Sequence, residues 1–250
     1  MIKLLFILCI FLYSSLYSES ITFLTHSTAN KVYLNENGNM RGIKHAGRRS
    51  FYIELIREMM NIVGYQPKSI HEVTYKRGLS EVQNKDNFAF FNATRIKDRE
   101  TTVKWIGPIQ TSKVFIYSAV NFPKTIKSLT EAKKLNTICI LNGTSHEVFL
   151  VKNKFKNIIR NNSYESCFKM LIKGRVDATV LSDISLTETL KAAQISSSQI
   201  KRNLFLFKTE GYLTMSNNIS DNTITIWQNA LEFLKVKGTY GLLMSQYFEK

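Results

Sequence analysis

The chain has 250 residues, and 34 Lys and Arg against 19 Asp and Glu give a formal net charge of +15. Apolar residues make up 44%, with only 11 Gly and 3 Pro, which excludes collagen-like, low-complexity and wholly disordered classes. The length allows one large domain or two lobes of roughly 100 residues each, and three cysteines are too few for a disulfide framework.

The first elements in chain order concern export. Lys3 precedes an unbroken apolar run, Leu4 to Leu12, and small residues follow it. That pattern predicts a secretory signal over residues 1–18, cleaved after Ser18 or Ser20. Serines 14, 15 and 18 interrupt the run too early for a spanning helix, which needs about twenty apolar residues. The mature chain is therefore expected to be exported and soluble.

Past the leader, strands and helices alternate. Ile21 to Thr25 reads as a strand, and Tyr52, Leu55, Ile56, Met59, Ile62 and Val63 mark a helix over Phe51 to Val63 that Gly64 stops. A strand at Ser69 to Val73, a helix at Arg77 to Gln83 and a strand at Phe88 to Asn92 follow. After a polar stretch comes a strand at Val114 to Ser118, then helix Ser128 to Lys134, strand Thr137 to Leu141, a helix from Ser145 and strand Asn157 to Arg160. Helix Tyr164 to Lys173, strand Val176 to Leu181, helix Leu186 to Ala193 and strands Leu204 to Phe207 and Tyr212 to Ser216 lead to two closing helices around Trp227 and Tyr240. This alternation predicts an α/β fold with largely parallel sheets. Cys139 in an apolar strand and Cys167 in an apolar helix read as buried free thiols.

A basic chain can bind nucleic acid or anionic membranes. Here Lys and Arg are spread along the sequence with no basic run longer than two residues, and no nucleic-acid motif accompanies them. The charge reads as a solvated coat, and no nucleic-acid partner is expected. His26 and His45 lack companions at metal-ligand spacing and read as surface or turn residues; no metal or cofactor is expected. Trp105 reads as packing near a hinge.

Four segments in order carry a resemblance. They are VTYKRGLSEV (73–82), NATRIKDRETTVKWIGPI (92–109), NGTSHEVFL (142–150) and LIKGRVDA (171–178). In sequence and spacing they resemble the family 3 extracellular solute-binding proteins, the periplasmic type II binding proteins of amino-acid ABC transporters. The resemblance implies two Rossmann-like α/β lobes joined by two crossover strands, with ligand held in the cleft between them. Residues 19–110 and 207–250 would form the first lobe and residues 111–206 the inserted second. It also implies capture of a small polar solute, an amino acid or other small carboxylate, for a membrane ABC permease, without catalysis.

Arg99 aligns with the family's carboxylate-binding arginine, whose planar fork can grip both oxygens. Thr94 aligns with a hydroxyl residue on the same carboxylate, and Tyr75 with an aromatic that lines the pocket. Arg77, two residues on, either faces the cleft or pairs with a surface acid. Gly143, Thr144 and Ser145 open a helix, where free N–H groups favour an anion. Thr144 and Glu147 fit a capping box, so Ser145 is the better ligand contact, although Thr144 can cap the helix and touch the ligand as well. The ammonium-binding acid of the family falls near Ser182 here, so Asp183 is the candidate for that role. Were Asp183 to point away, the cleft would be short of acid and rich in Arg, which suits an anion or a non-amino-acid solute.

The early pocket segment departs from the family at Thr25 to Lys31. Arg48 and Arg49 fall near the positive end of the first helix, where the dipole disfavours them; they read as loop residues facing solvent or, in conflict with that, as anion holders. Two other functions share the architecture: an enzyme of the cyclohexadienyl dehydratase type, for which Glu188 would be the cleft acid, and a free-standing sensory module.

Overall fold

The structure is a computed structural model that describes residues 20–65 and 69–248. The leader and its cleavage site lie outside the described residues. In chain order come β1 (Thr22–Thr25), β2 (Val32–Leu34), β3 (Met40–Gly42), α1 (Arg48–Val63), β4 (Ile70–Glu72), α2 (Tyr75–Asn84) and β5 (Phe88–Thr94). Then follow β6 (Lys104–Ala119), α3 (Leu129–Lys133), β7 (Ile138–Leu141), α4 (Ser145–Lys152), β8 (Ile158–Asn161), α5 (Tyr164–Ile172), β9 (Ala178–Ser182) and α6 (Leu186–Ala193). The chain closes with β10 (Ile200–Met215), α7 (Asp221–Val236) and α8 (Thr239–Tyr247).

Eight strands form one sheet in the order β4-β1-β5-β10-β6-β9-β7-β8, and β2 and β3 make a separate hairpin. The outer strands pair in parallel on each side: β1 with β4 and β5, and β7 with β8 and β9. Between them run β6 and β10, each 16 residues long and antiparallel to one another along their length. The far end of β10 pairs with β5, and the far end of β6 pairs with β9. These two strands therefore belong to both halves of the sheet.

Composition explains the outer strands. Ile138 to Leu141 is a run of four fully or almost fully buried side chains, as a strand covered on both faces requires. The long strands are less legible, because Gly107 and Pro108 punctuate β6 and the polar run Lys208 to Gly211 divides β10. Sequence reasoning accordingly finds only Val114 to Ser118 and two separate short strands. Mutual pairing carries the backbone through those breaks, with register shifts between Phe205 and Phe207 and between Gly211 and Leu213.

α1 buries Tyr52, Leu55, Ile56 and Met59 as its periodicity predicts. Gly64, at φ 71°, returns its N–H to Met60 and Asn61 carbonyls and ends the helix. The helix begins at Arg48, one turn earlier than the apolar row suggests, so Arg48 and Arg49 are helical and buried rather than solvent-facing.

Each half has its own apolar interior. Phe51, Phe91, Leu213, Trp227 and Leu231 pack together on one side. Val114, Ile138, Ile140 and Val180 form one cluster on the other, and Tyr117, Phe168, Leu181 and the two cysteines a second. Burial of each such large side chain contributes about 1.5–3 kcal/mol. Leu141 of the second half packs with Leu24, Tyr75 and Phe90 of the first, so the two halves are in contact.

The expectation of two free thiols is overturned. Cys139 in β7 and Cys167 in α5 are joined in a disulfide, with Cα atoms 5.5 Å apart and both side chains fully buried. The two lie 28 residues apart, and only the packing of α5 on the sheet brings them to bridging distance. Among the described residues no helix is long and apolar enough to cross a membrane.

Candidate functional site

A polar cavity opens where the halves meet. From the first half it is lined by His26, Arg48, Arg49, Tyr75, Asn92, Thr94 and Thr209. From the second come Thr144, Ser145, His146, Tyr164, Ser182 and Ser185. Among the described residues no Asp or Glu lines it.

Arg99 sits in a turn just after β5 and is 5% exposed. Its Nη1 donates to the Tyr75 hydroxyl at 3.2 Å and to the Thr94 carbonyl at 3.3 Å, while Nη2 donates to the Gly143 carbonyl at 2.7 Å. This guanidinium therefore joins the two halves through neutral partners, directly behind the cavity wall that Tyr75, Thr94 and Thr144 supply. Tyr75 is the first residue of α2 and meets the His26 ring edge-on at 4.8 Å.

The α4 start is built as its sequence suggests, with one displacement. The Thr144 hydroxyl accepts from the Glu147 N–H at 3.5 Å and donates to the Leu141 carbonyl at 2.8 Å. The Glu147 carboxylate reaches the Gly143 N–H at 2.6 Å, one residue ahead of the cap. Gly143 itself turns at φ 78°. Ser145, buried, faces the cavity.

Asp183 stands away from its expected place, and Arg77 takes the second of its two expected placements, beside a surface acid. The Asp183 carboxylate accepts from the Lys113 N–H at 3.0 Å and the Ile184 N–H at 2.9 Å, against the crossover strand, and Ser182 occupies the cavity wall instead. The backbone turns at Asp183, and a short acid there is best satisfied by its own following N–H. Arg77 lies on the outer face of α2 with its side chain 69% exposed, 3.4 Å from Glu81 one turn on. It takes no part in the cavity.

Arg48 and Arg49 replace them. Arg48 Nη1 reaches the Ser182 hydroxyl at 3.4 Å, and its guanidinium carbon lies 5.7 Å from the centre of the Tyr52 ring. Arg48 Nε, and Nε and Nη1 of Arg49, are buried with no hydrogen-bond partner, as is the Asn92 side-chain amide nitrogen. Burial, reinforced by Arg48, pulls the Arg49 pKa down to about 10, which still leaves it charged at neutral pH. No side chain caps α1, and no acid lies in its first turn. Its Arg48 N–H instead donates to the Glu188 carboxylate of α6, in the other half. Gly47 and Gly211 permit these approaches: a Cβ at Gly47 would strike Glu188, and one at Gly211 would strike the Tyr52 hydroxyl and Arg48.

The histidines add no charge. Burial first, then Arg49, Arg48 and Lys31, hold His26 well below its ordinary pKa. Burial, with Arg48 and Arg99, takes His146 to about 3. Burial pushes the Glu188 carboxyl up, against the pull of Lys31, Arg49 and Arg48. His26 was expected at the surface and is instead buried; an isolated histidine in a polar run gives no sequence signal of a pocket wall. The same holds for Asn92 and Tyr164. Only the misplaced charges at the α1 start announced Arg48 and Arg49.

No family model matches the sequence, and no curated protein is similar to it in sequence. Solved structures are similar in shape. A mutant of ArgBP from T. maritima superposes with a TM-score of 0.73 at 18% identity, over 91% of this chain and 94% of that one. The GluR0 ligand-binding core from Nostoc punctiforme in complex with L-glutamate gives 0.74 at 18%, over 92% and 100%. A histidine kinase sensor domain with similarity to periplasmic binding proteins gives 0.72 at 10%, over 90% and 94%. Strand order, the paired long strands and these superpositions agree: the chain has the type II periplasmic-binding-protein fold, the fold of the family 3 solute-binding proteins.

Proposed function

We propose that this chain is a periplasmic receptor that captures a small anionic solute, carboxylate-bearing, between residues 19–110 with 207–250 and residues 111–206. The single observation carrying this reading is the set of buried, unpartnered guanidinium N–H groups of Arg48 and Arg49 in a cavity between the halves. Leaving such donors unsatisfied costs about 1–3 kcal/mol or more each, and an anion there recovers it. Ser145 and the first N–H groups of α4 supply further donors from the opposite side. Arg99, bonded to Tyr75 and Thr94, holds the wall together from behind.

Closure has physical support. Arg99 to Gly143, Lys31 to Glu165 at 2.9 Å and Lys152 to Asp98 at 2.6 Å all bridge the halves. A solute that meets both faces binds the closed form better and shifts the population toward it. β6 and β10, the two strands common to both halves, would be the hinge. Export is supported by the disulfide, which persists in oxidising compartments, and by the apolar leader. Delivery to a membrane ABC permease by a monomer follows the family resemblance. A sensory role is favoured by one neighbour, the histidine kinase sensor domain. The dehydratase reading is disfavoured, because the Glu188 carboxylate is bound to the α1 start and does not line the cavity.

The test is a thermal-shift and calorimetric panel of amino acids, small mono- and dicarboxylates and inorganic anions on the purified chain, with X-ray scattering to follow closure. At least one anion raises the Tm and compacts the protein, and Arg99→Ala weakens it at least tenfold. A panel without a single binder overturns the receptor reading.

A further inference from the structure

We propose that Arg48 and Arg49 form a second anion subsite facing the Ser145 and Arg99 side of the cleft, and that the solute is a small two-ended dianion with no ammonium group. This rests on the receptor reading above and narrows it to a class of ligand.

Charge balance carries the argument. Arg48, Arg49 and Arg99 are buried at or directly behind one cavity, at 7%, 6% and 5% exposure. Arg99 is bonded only to neutral oxygens, so its charge is not neutralised. Among the described residues Glu188, which accepts from the Arg48 N–H, is the carboxylate that faces Arg48 and Arg49. Lys31 and Glu165 nearby cancel one another at 2.9 Å. Two positive charges therefore remain uncompensated in a desolvated space, an arrangement that costs stability and that a bound anion would relieve. A zwitterionic amino acid brings no net charge. Its ammonium would lie among guanidinium groups, in a cavity whose walls carry no Asp or Glu. Asp183, the acid nearest in sequence to the wall residue Ser182, is held by the Lys113 and Ile184 N–H groups.

Placement makes the ligand two-ended. The unpartnered nitrogens of Arg48 and Arg49 enter from α1, and Asn92 adds its free amide N–H from β5. Ser145 and the α4 start enter from the other half of the sheet. The Arg48 and Arg49 guanidinium groups would take one carboxylate, and Ser145 with the first N–H groups of α4 the other, with the Arg99 charge behind that wall. Arg48 is held in position by the Ser182 hydroxyl and by Tyr52, and the missing side chain of Gly211 gives it room.

Calorimetry on the purified chain would compare succinate and glutarate with phosphate, sulfate, butyrate, glutamine, glutamate and arginine. Succinate or glutarate should bind at least 30-fold tighter than butyrate and tighter than any amino acid. Arg49→Gln should weaken the dicarboxylate at least 100-fold, at least tenfold more than it weakens butyrate, so the preference for two charges collapses. Should Arg49→Gln fail to fold by circular dichroism, Arg49→Lys keeps the charge and removes the fork; an at least tenfold loss is expected there. Tighter binding of glutamine, glutamate or arginine than of either dicarboxylate overturns the dianion subsite and leaves the receptor standing. Phosphate or sulfate binding tighter than both dicarboxylates overturns the two-ended ligand. An unchanged dicarboxylate-to-butyrate ratio in the arginine variants removes Arg48 and Arg49 from recognition. Binding of no probe at all sinks the receptor reading with it.

Discussion

Two helices point their N-termini at the same cavity from opposite halves, and they are finished in opposite ways. α4 closes its own end, with Thr144 as cap, Glu147 folded back on Gly143 and an acid in the first turn. α1 has glycine before it, no capping side chain and two arginines where the dipole is positive. Its carboxylate partner, Glu188, is 140 residues away in the other half. The first helix start is a local structure that exists whether or not the halves meet. The second is completed only when they do.

The strongest way to break this contrast is to loosen the α4 side. Cys139 lies in the strand that leads into α4, and the disulfide to Cys167 closes a 28-residue separation. Replacing both with Ala should cost about 3–4 kcal/mol, read as the shift in urea midpoint. An unchanged midpoint would mean that packing alone holds that half.

Acid probes both sides at once. His26 stands by α1 and His146 in α4, and both have folded pKa values below the ordinary value, His146 at about 3. Between about pH 6.5 and that value the unfolded chain binds the proton and the folded one does not. Stability is therefore full above about pH 6.5 and falls as pH drops, by up to about 1.4 kcal/mol per unit per histidine. Urea midpoints at pH 7.5, 6 and 5 measure the slope, and His146→Gln should flatten it.

Arg49→Met should act in the reverse sense on the empty protein. Removing a buried, unpartnered charge beside a like charge should raise the stability of the ligand-free chain by about 1–2 kcal/mol. A loss of stability would show that Arg49 is satisfied without solute. Smallest in effect, Thr144→Val should cost about 1 kcal/mol through the lost cap alone, equally with and without solute. A larger loss in the presence of solute would place Thr144 itself in recognition.

Much of the fold was legible. The apolar row of α1, the stop at Gly64, the four-residue run of β7 and the Thr144–Glu147 pair each follow from neighbours in the chain, and each is present. Tyr75, Thr94, Thr144 and Ser145 line one cavity, and Arg99 lies behind it, bonded to Tyr75, Thr94 and Gly143. Arg77 and Asp183 do not, since each is satisfied by a closer partner, Glu81 on the same helix face and the Lys113 and Ile184 N–H groups.

What the sequence determined by itself is the alternation of strand and helix and the helix caps, because periodicity and capping act over a few residues. Tertiary structure alone decided the disulfide, the continuity of β6 and β10 and the burial of Arg48 and Arg49 against Glu188. Each of these depends on groups tens of residues apart, whose desolvation and pairing are settled only when the halves meet.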